Sequence, residues 1–149
     1  ANPVWTIPAE RMKMRREHLV PLSKQAVQIL QQVAEISGGE RLVFPSQNNP
    51  NKPMSENTLL FAIYRMGYHS RATTHGFRSV ASTILNESEK WHPDAIERQL
   101  AHVESNKVRA AYDRAEHLPE RRRMMQWWAE HIDSLKQPAD VIDLEQHRA

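Results

Sequence analysis

Four residues in this chain are of types that could converge on a phosphate. His75 and Arg78 stand three apart in "THGFRSVASTIL", His102 lies in "QLAHVESNKVRAAYDR", and Tyr112 follows His102 by 10 positions. A guanidinium holds two phosphate oxygens in a planar fork. An imidazole moves protons near neutral pH. A phenol hydroxyl can attack phosphorus and remain bonded to it. Each residue also has a plain structural reading. Arg78 could pair with a carboxylate at a surface turn, and His102 could sit at a helix C-terminus where a cation suits the dipole. Tyr112 could be a half-buried ring with a hydrogen-bonded hydroxyl. Residue type alone leaves both readings open.

The elements that carry these residues are legible in the pattern. "VWTIPA" and "HLVPL" read as two antiparallel strands joined by the basic link "ERMKMRRE", which holds Arg11, Lys13, Arg15 and Arg16. Ser23 caps a helix in which Ala26, Ile29, Leu30 and Val33 recur at helical spacing until Gly38 and Gly39 end it. "RLVFPSQNNPNKPMSE" reads as a loop, and Ser55 as the cap of a helix reaching about Met66. A helix is predicted from Thr73 or Thr74 to about Asn86, another from Pro93 to near His102, a fifth capped by Ser105, and a sixth from Pro119 to about Lys136. Residues 137–149 have weak periodicity and read as a mobile tail. The class predicted is α+β and mostly helical, with one small antiparallel β-hairpin.

Helical wheels place the chemistry on those elements. Phe77, Val80, Ala81 and Ile84 gather on one side of their helix, with His75, Arg78, Ser79 and Ser82 on the other. A basic pair in the first turn opposes the dipole unless an anion compensates it. In the fifth helix Val108, Ala111, Tyr112 and Ala115 share an arc, which turns Tyr112 toward the body of the protein.

Composition narrows the class. The chain has 149 residues, 40% apolar content and no Cys, so it suits a single globular domain without disulfides or thiolate sites. No run approaches the roughly 20 apolar residues of a membrane helix. The net charge of +2 hides an asymmetry: residues 1–78 carry 10 Lys and Arg against 5 Asp and Glu, and residues 79–149 carry 10 against 13. The basic link and a second cluster, Arg121–Arg123, suggest a polyanionic partner, although solvated basic loops would look the same.

Taken together, Lys13, then His75-Gly76-Phe77-Arg78, then Leu100-Ala101-His102, then Tyr112 resemble the catalytic domain of tyrosine recombinases, the phage-type integrases. "RMKMRREHLVPLS" and "LAHVESNKVRAAYDRAEHLPERRRMMQWWAEHID" resemble the prophage and genomic-island members in particular. The resemblance runs from about residue 4 to 136. It implies the fold of a DNA breaking-rejoining catalytic core and site-specific recombination through a 3′-phosphotyrosyl intermediate. Tyr112 would be the nucleophile, Arg78 the phosphate clamp, His102 a donor to the phosphate, His75 an aid to proton transfer, and Lys13 the acid for the leaving 5′-oxygen. Arg11, Arg15 and Arg16 would bind DNA. No metal or other cofactor is implied. The partners would be duplex attachment sites and three further copies of the enzyme in a tetramer, within the bacterial cytoplasm and associated with the nucleoid.

Two departures from the family pattern bear on these expectations. Its first clamp arginine and the first strand of its usual three-stranded sheet would precede Val4. Residues 1–136 are therefore read as a truncated C-terminal catalytic domain that binds DNA but does not cut it alone. The spacing from His102 to Tyr112 is one residue longer than the commonest family pattern, a spacing the prophage type tolerates. Tyr64 and Tyr68 precede the H-x-x-R element and are in the wrong place. Met124, Trp128, Ile132 and Leu135 form an apolar stripe on the last helix, either packed on its own core or docked on a neighbour. Rival readings are a type IB topoisomerase, a non-catalytic DNA-binding or assembly module, and a His-based metal hydrolase.

Overall fold

In the computed structural model, residues 2–13, 15–38, 41–101 and 117–136 are described. Strands β1 (Val4–Ile7) and β2 (His18–Pro21) pair antiparallel, with Val4 opposite Pro21 and Ile7 opposite His18. They form the one sheet among the described residues. The link between them begins with a single 3₁₀ turn, Ala9–Arg11, and passes through Arg15 in a left-handed conformation (φ 52°). Lys13 and Arg15 are exposed on this link, as are Arg11 and Arg16.

Helix α1 (Lys24–Ser37) starts where a hydroxyl is available to cap it: Ser23 Oγ accepts the Ala26 N–H at 3.1 Å. It stops at Gly38, whose φ of 80° is easily reached without a Cβ. Both ends follow the sequence-based expectation. The Pro- and Asn-rich segment that follows closes on itself through Ser46 N–H to Lys52 O (2.8 Å) and Met54 N–H to Phe44 O (3.0 Å).

Helix α2 is shorter than expected, Thr58–Ile63, and then widens into a π-type turn over Tyr64–Tyr68. Ser55 does not cap it. Its hydroxyl accepts from Asn57 N–H (3.4 Å) and its carbonyl from Thr58 N–H (2.9 Å), so a local turn takes up the groups a cap would use. Helix α3 (Thr74–Glu87) is capped by Thr73, and α4 (Pro93–Gln99) by His92 with Pro93 in its first turn. Helix α4 ends three residues before His102, because Ala101 turns left-handed (φ 51°). The last described helix, α5, spans Leu118–Ser134. The predicted fifth helix, capped by Ser105 and carrying Tyr112, and the tail 137–149 lie outside the described residues.

The core sits where α3, α4 and α5 meet. Leu85, Ile96, Leu100 and Met124 are buried together, with Trp91, Met125 and Trp127 packed against them. Trp91 and Trp127 meet edge to face at 6.1 Å, and Lys90 stands 4.6 Å over the Trp127 ring. Helix α1 is fastened to α5 by polar contacts. Lys24 N–H donates to Gln126 Oε1 (3.0 Å), Gln126 Nε2 to Gln25 Oε1 (3.1 Å), and Gln25 Nε2 to Asp133 Oδ2 (2.8 Å). Hydrogen bonds from Lys136 and then Gln25 hold the Asp133 carboxyl below the usual aspartate range.

Three expectations change at this level. The side of α3 that faces the core carries Leu85, with Arg78 and Ser82 partly buried beside it, whereas Phe77 and Val80 are 61% and 52% exposed. A wheel separates the two sides of a helix but cannot say which one its neighbours cover. The basic cluster Arg121–Arg123 is not one surface patch. Arg121 is fully buried, donating from Nε to Gln99 Oε1 at 2.9 Å and from Nη2 to the Leu19 carbonyl. The stripe on α5 also divides: Met124 is in the core, while Ile132 and Leu135 are exposed.

Candidate active site

Among the described residues, Arg78 is the best-anchored member of the candidate set. It lies one turn after His75 on the first half of α3, on the side that meets α4. Its Nη2 donates to the carbonyl of Leu100, the residue that ends α4. That bond joins the H-x-x-R helix to the L-A-H segment across 22 positions of sequence. It also restricts the guanidinium, because the arms of a planar fork move together.

The start of α3 is built for negative charge. Thr73 Oγ1 accepts the Gly76 N–H at 3.0 Å, which leaves other first-turn N–H groups free in the helix. Gly76 suits this cap because a Cβ there would come within 3.3 Å of Thr73 Oγ1. The first turn holds no acidic residue, and His75 is exposed on it. Arg71, just before the cap, lies over the Tyr68 ring at 5.6 Å. A cleft of about 280 Å³ runs alongside, lined by Ser70, Arg71, Ala72, Thr73, Gly76, Phe77 and Val80. The helix dipole and Arg71 add at this point, and the complement of such a site is an anion such as a phosphate.

The basic link is tied to the same body from the other side. Arg121 on α5 reaches Leu19 on β2 and Gln99 on α4 at once, so the hairpin that presents Lys13 is held to the helix end that leads toward His102. Lys13 itself stands exposed on that link, and Arg15 Nη1 donates to the Glu10 carbonyl at 3.4 Å. The structure thus brings Arg78 to the end of α4 and places His75 one turn away. His102 and Tyr112 lie outside the described residues.

One arrangement close by was not read from the sequence. His92 N–H donates to Glu120 Oε1 at 2.8 Å, and Glu120 Oε2 lies 3.8 Å from His117 Nδ1. The His92 and His117 rings stack with centroids 5.7 Å apart and planes 10° from parallel. The only hint in sequence was a His before each helix-opening proline region, "WHP" and "HLP".

Comparison with known proteins agrees with the family resemblance. The family model described as "Phage integrase family" matches residues 1–117. The chain is 52% identical over 138 residues to "Prophage integrase IntA" of Escherichia coli (strain K12), covering 93% of this chain and 33% of that protein. It is 49% identical over 145 residues to "Integrase" of Enterobacteria phage P4 (87% and 33%). It is 44% identical over 133 residues to "Integrase" of Shigella phage Sf6 (89% and 34%). The chain therefore spans about a third of the length of these relatives. No solved structure matches it. Among the described residues, no helix is long and apolar enough to cross a membrane. With the model matching well over half of its length, this chain belongs to the phage integrase family.

Proposed function

We propose that the intact protein is a tyrosine-type site-specific recombinase and that these residues are the C-terminal part of its catalytic domain, with the fold of a DNA breaking-rejoining core. The observation that carries this reading is the bond from Arg78 to the Leu100 carbonyl. It ties the Arg78 guanidinium to the first residue of the L-A-H segment, the two motifs that a clamp on a scissile phosphate would combine.

The chemistry follows from the groups. Tyr112 Oη attacks phosphorus, its proton passing toward His75, while the bond from phosphorus to the 5′-oxygen breaks. Lys13 gives the leaving 5′-oxygen a proton. Arg78 and His102 stabilise the charge that builds on the non-bridging oxygens, where preorganised donors act most strongly. The 3′-phosphotyrosyl bond retains the energy of the phosphodiester, so a second 5′-hydroxyl can reverse the steps and join new strands. Arg11, Arg15 and Arg16 supply sequence-independent contacts to the backbone. The substrate would be duplex attachment sites of a prophage or genomic island, exchanged within a homotetramer beside the bacterial nucleoid. Residues 1–136 form the catalytic portion in this reading, and 137–149 a tail.

The test is covalent trapping. The intact protein is incubated with a nicked duplex copied from the junction between the integrated element and the host chromosome. Digestion should yield a DNA-linked peptide containing Tyr112, and Tyr112→Phe should abolish the adduct while DNA binding persists. Normal adduct levels in Tyr112→Phe would show that another residue is the nucleophile.

A further inference from the structure

Arg122 and Arg123 belong to a basic cluster that the proposed chemistry does not use. Where Arg121 turns into the body, these two line a cleft of about 690 Å³ that α5 shares with the chain just before β1 and with the first turns of α1. The rows of α5 explain the division. Arg122, Gln126 and Glu130 stand four apart on one side, with Arg123 and Trp127 in the row beside them. Lys24 lines the cleft from α1, so three cations stand there against one carboxylate, Glu130. Gln126 already engages that carboxylate, donating from Nε2 to Glu130 Oε1 at 3.0 Å. Among the described residues, no carboxylate pairs with Lys24, Arg122 or Arg123. Arg122 Nε is buried and has no hydrogen-bond partner. Buried N–H groups are nearly always paired, and gathered like charges favour an anion between them.

The rest of the lining that matters is apolar. Leu22 and Val27 contribute from the start of α1, and Trp127 from α5. The Trp127 indole is held in place by three neighbours: Lys90 4.6 Å over its ring, Trp91 edge to face, and His131 stacked at 5.4 Å. A wall set before the ligand arrives lowers the ordering cost of binding. We propose that this cleft is a docking site for a short acidic segment of a partner protein. Its carboxylates meet Lys24, Arg122 and Arg123, and its aliphatic side chains lie on Leu22, Val27 and Trp127. The volume is that of a ligand pocket. Charge complementarity selects the carboxylates. The apolar wall selects against duplex DNA, whose phosphates could meet the cations but whose backbone has little to set against an indole and two aliphatic chains.

The test uses the intact protein and fluorescent synthetic peptides in which Asp and Glu alternate with Leu. Fluorescence anisotropy should show saturable binding with a Kd on the order of 10 μM, weakening as salt is raised. Replacing the acids by Asn and Gln, or Leu by Ser, should raise Kd at least about tenfold. Lys24→Glu and Arg123→Glu change exposed side chains, and a carboxylate suits the first helical turn that Lys24 occupies, so both variants should fold. Each should raise Kd at least about tenfold while the melting temperature stays unchanged. Should either unfold, Gln28→Glu, exposed on the α1 side of the cleft, takes its place with the same expected loss. Absence of saturable binding, equal binding of the neutral peptides, or a wild-type Kd in the charge-reversal variants would overturn the proposal. So would duplex DNA binding or self-association that these variants weaken while the peptides do not bind, since the cleft would then belong to DNA or to a second copy of the chain.

Discussion

Replacing Arg78 by Lys keeps the charge and removes the fork. In the structure the arginine's Nη2 is on the Leu100 carbonyl, and in the proposed chemistry its other N–H groups hold the phosphate. A lysine offers one nitrogen on a flexible stem. It can satisfy the carbonyl or a phosphate, but not both in one plane. If it keeps the carbonyl, the phosphate loses a preorganised donor, which typically costs about 10²–10³ in rate, or about 2.7–4 kcal/mol. If it turns to the phosphate, the partly buried carbonyl loses a bond to a charged donor, worth about 1.5–3 kcal/mol of stability. The two losses should trade against each other. Single-turnover cleavage of the nicked junction duplex by Arg78→Lys and Arg78→Ala is compared with urea unfolding of the same variants. Lys should lose at least about 100-fold in rate or about 1.5 kcal/mol in stability, and Ala should lose both. Ground-state DNA affinity should fall little, because one phosphate contact among many is removed. An Arg78→Lys variant that cuts within about threefold of wild type at unchanged stability would refute the dual role.

Two further outcomes are expected. Lys13→Ala should cut ordinary DNA poorly but recover on a strand with a 5′-bridging sulfur, whose leaving group needs no proton, and Arg78→Ala should not recover; equal failure of Lys13→Ala on both substrates removes Lys13 as the acid. Leu85→Ala should lower stability by about 2–5 kcal/mol in denaturant titration, because Leu85 is only 2% exposed among Ile96, Leu100 and Met124, whereas Phe77→Ala, on the exposed side, should cost less than about 1 kcal/mol.

The sequence by itself determined whatever depends on near neighbours in the chain. Ser23 and Thr73 cap α1 and α3 as their types require, Gly38 ends α1, and proline opens α4 and α5, because the groups involved are within four residues of one another. The order of Lys13, His75, Arg78, His102 and Tyr112 was likewise legible, and it placed the chain in its family before any geometry. Ser55 was misread as a cap because a local turn competes there with helix on nearly equal terms. Only the tertiary structure decided which way the elements face. That Arg78 and Leu85 turn inward while Phe77 looks out depends on α4 and α5. That Arg121 is buried beneath its two exposed-looking neighbours depends on Leu19, 102 positions away. The meeting of His92, His117 and Glu120 has the same origin. Periodicity reports the sides of a single helix, but contacts between residues 22 to 102 positions apart exist only once the helices have packed.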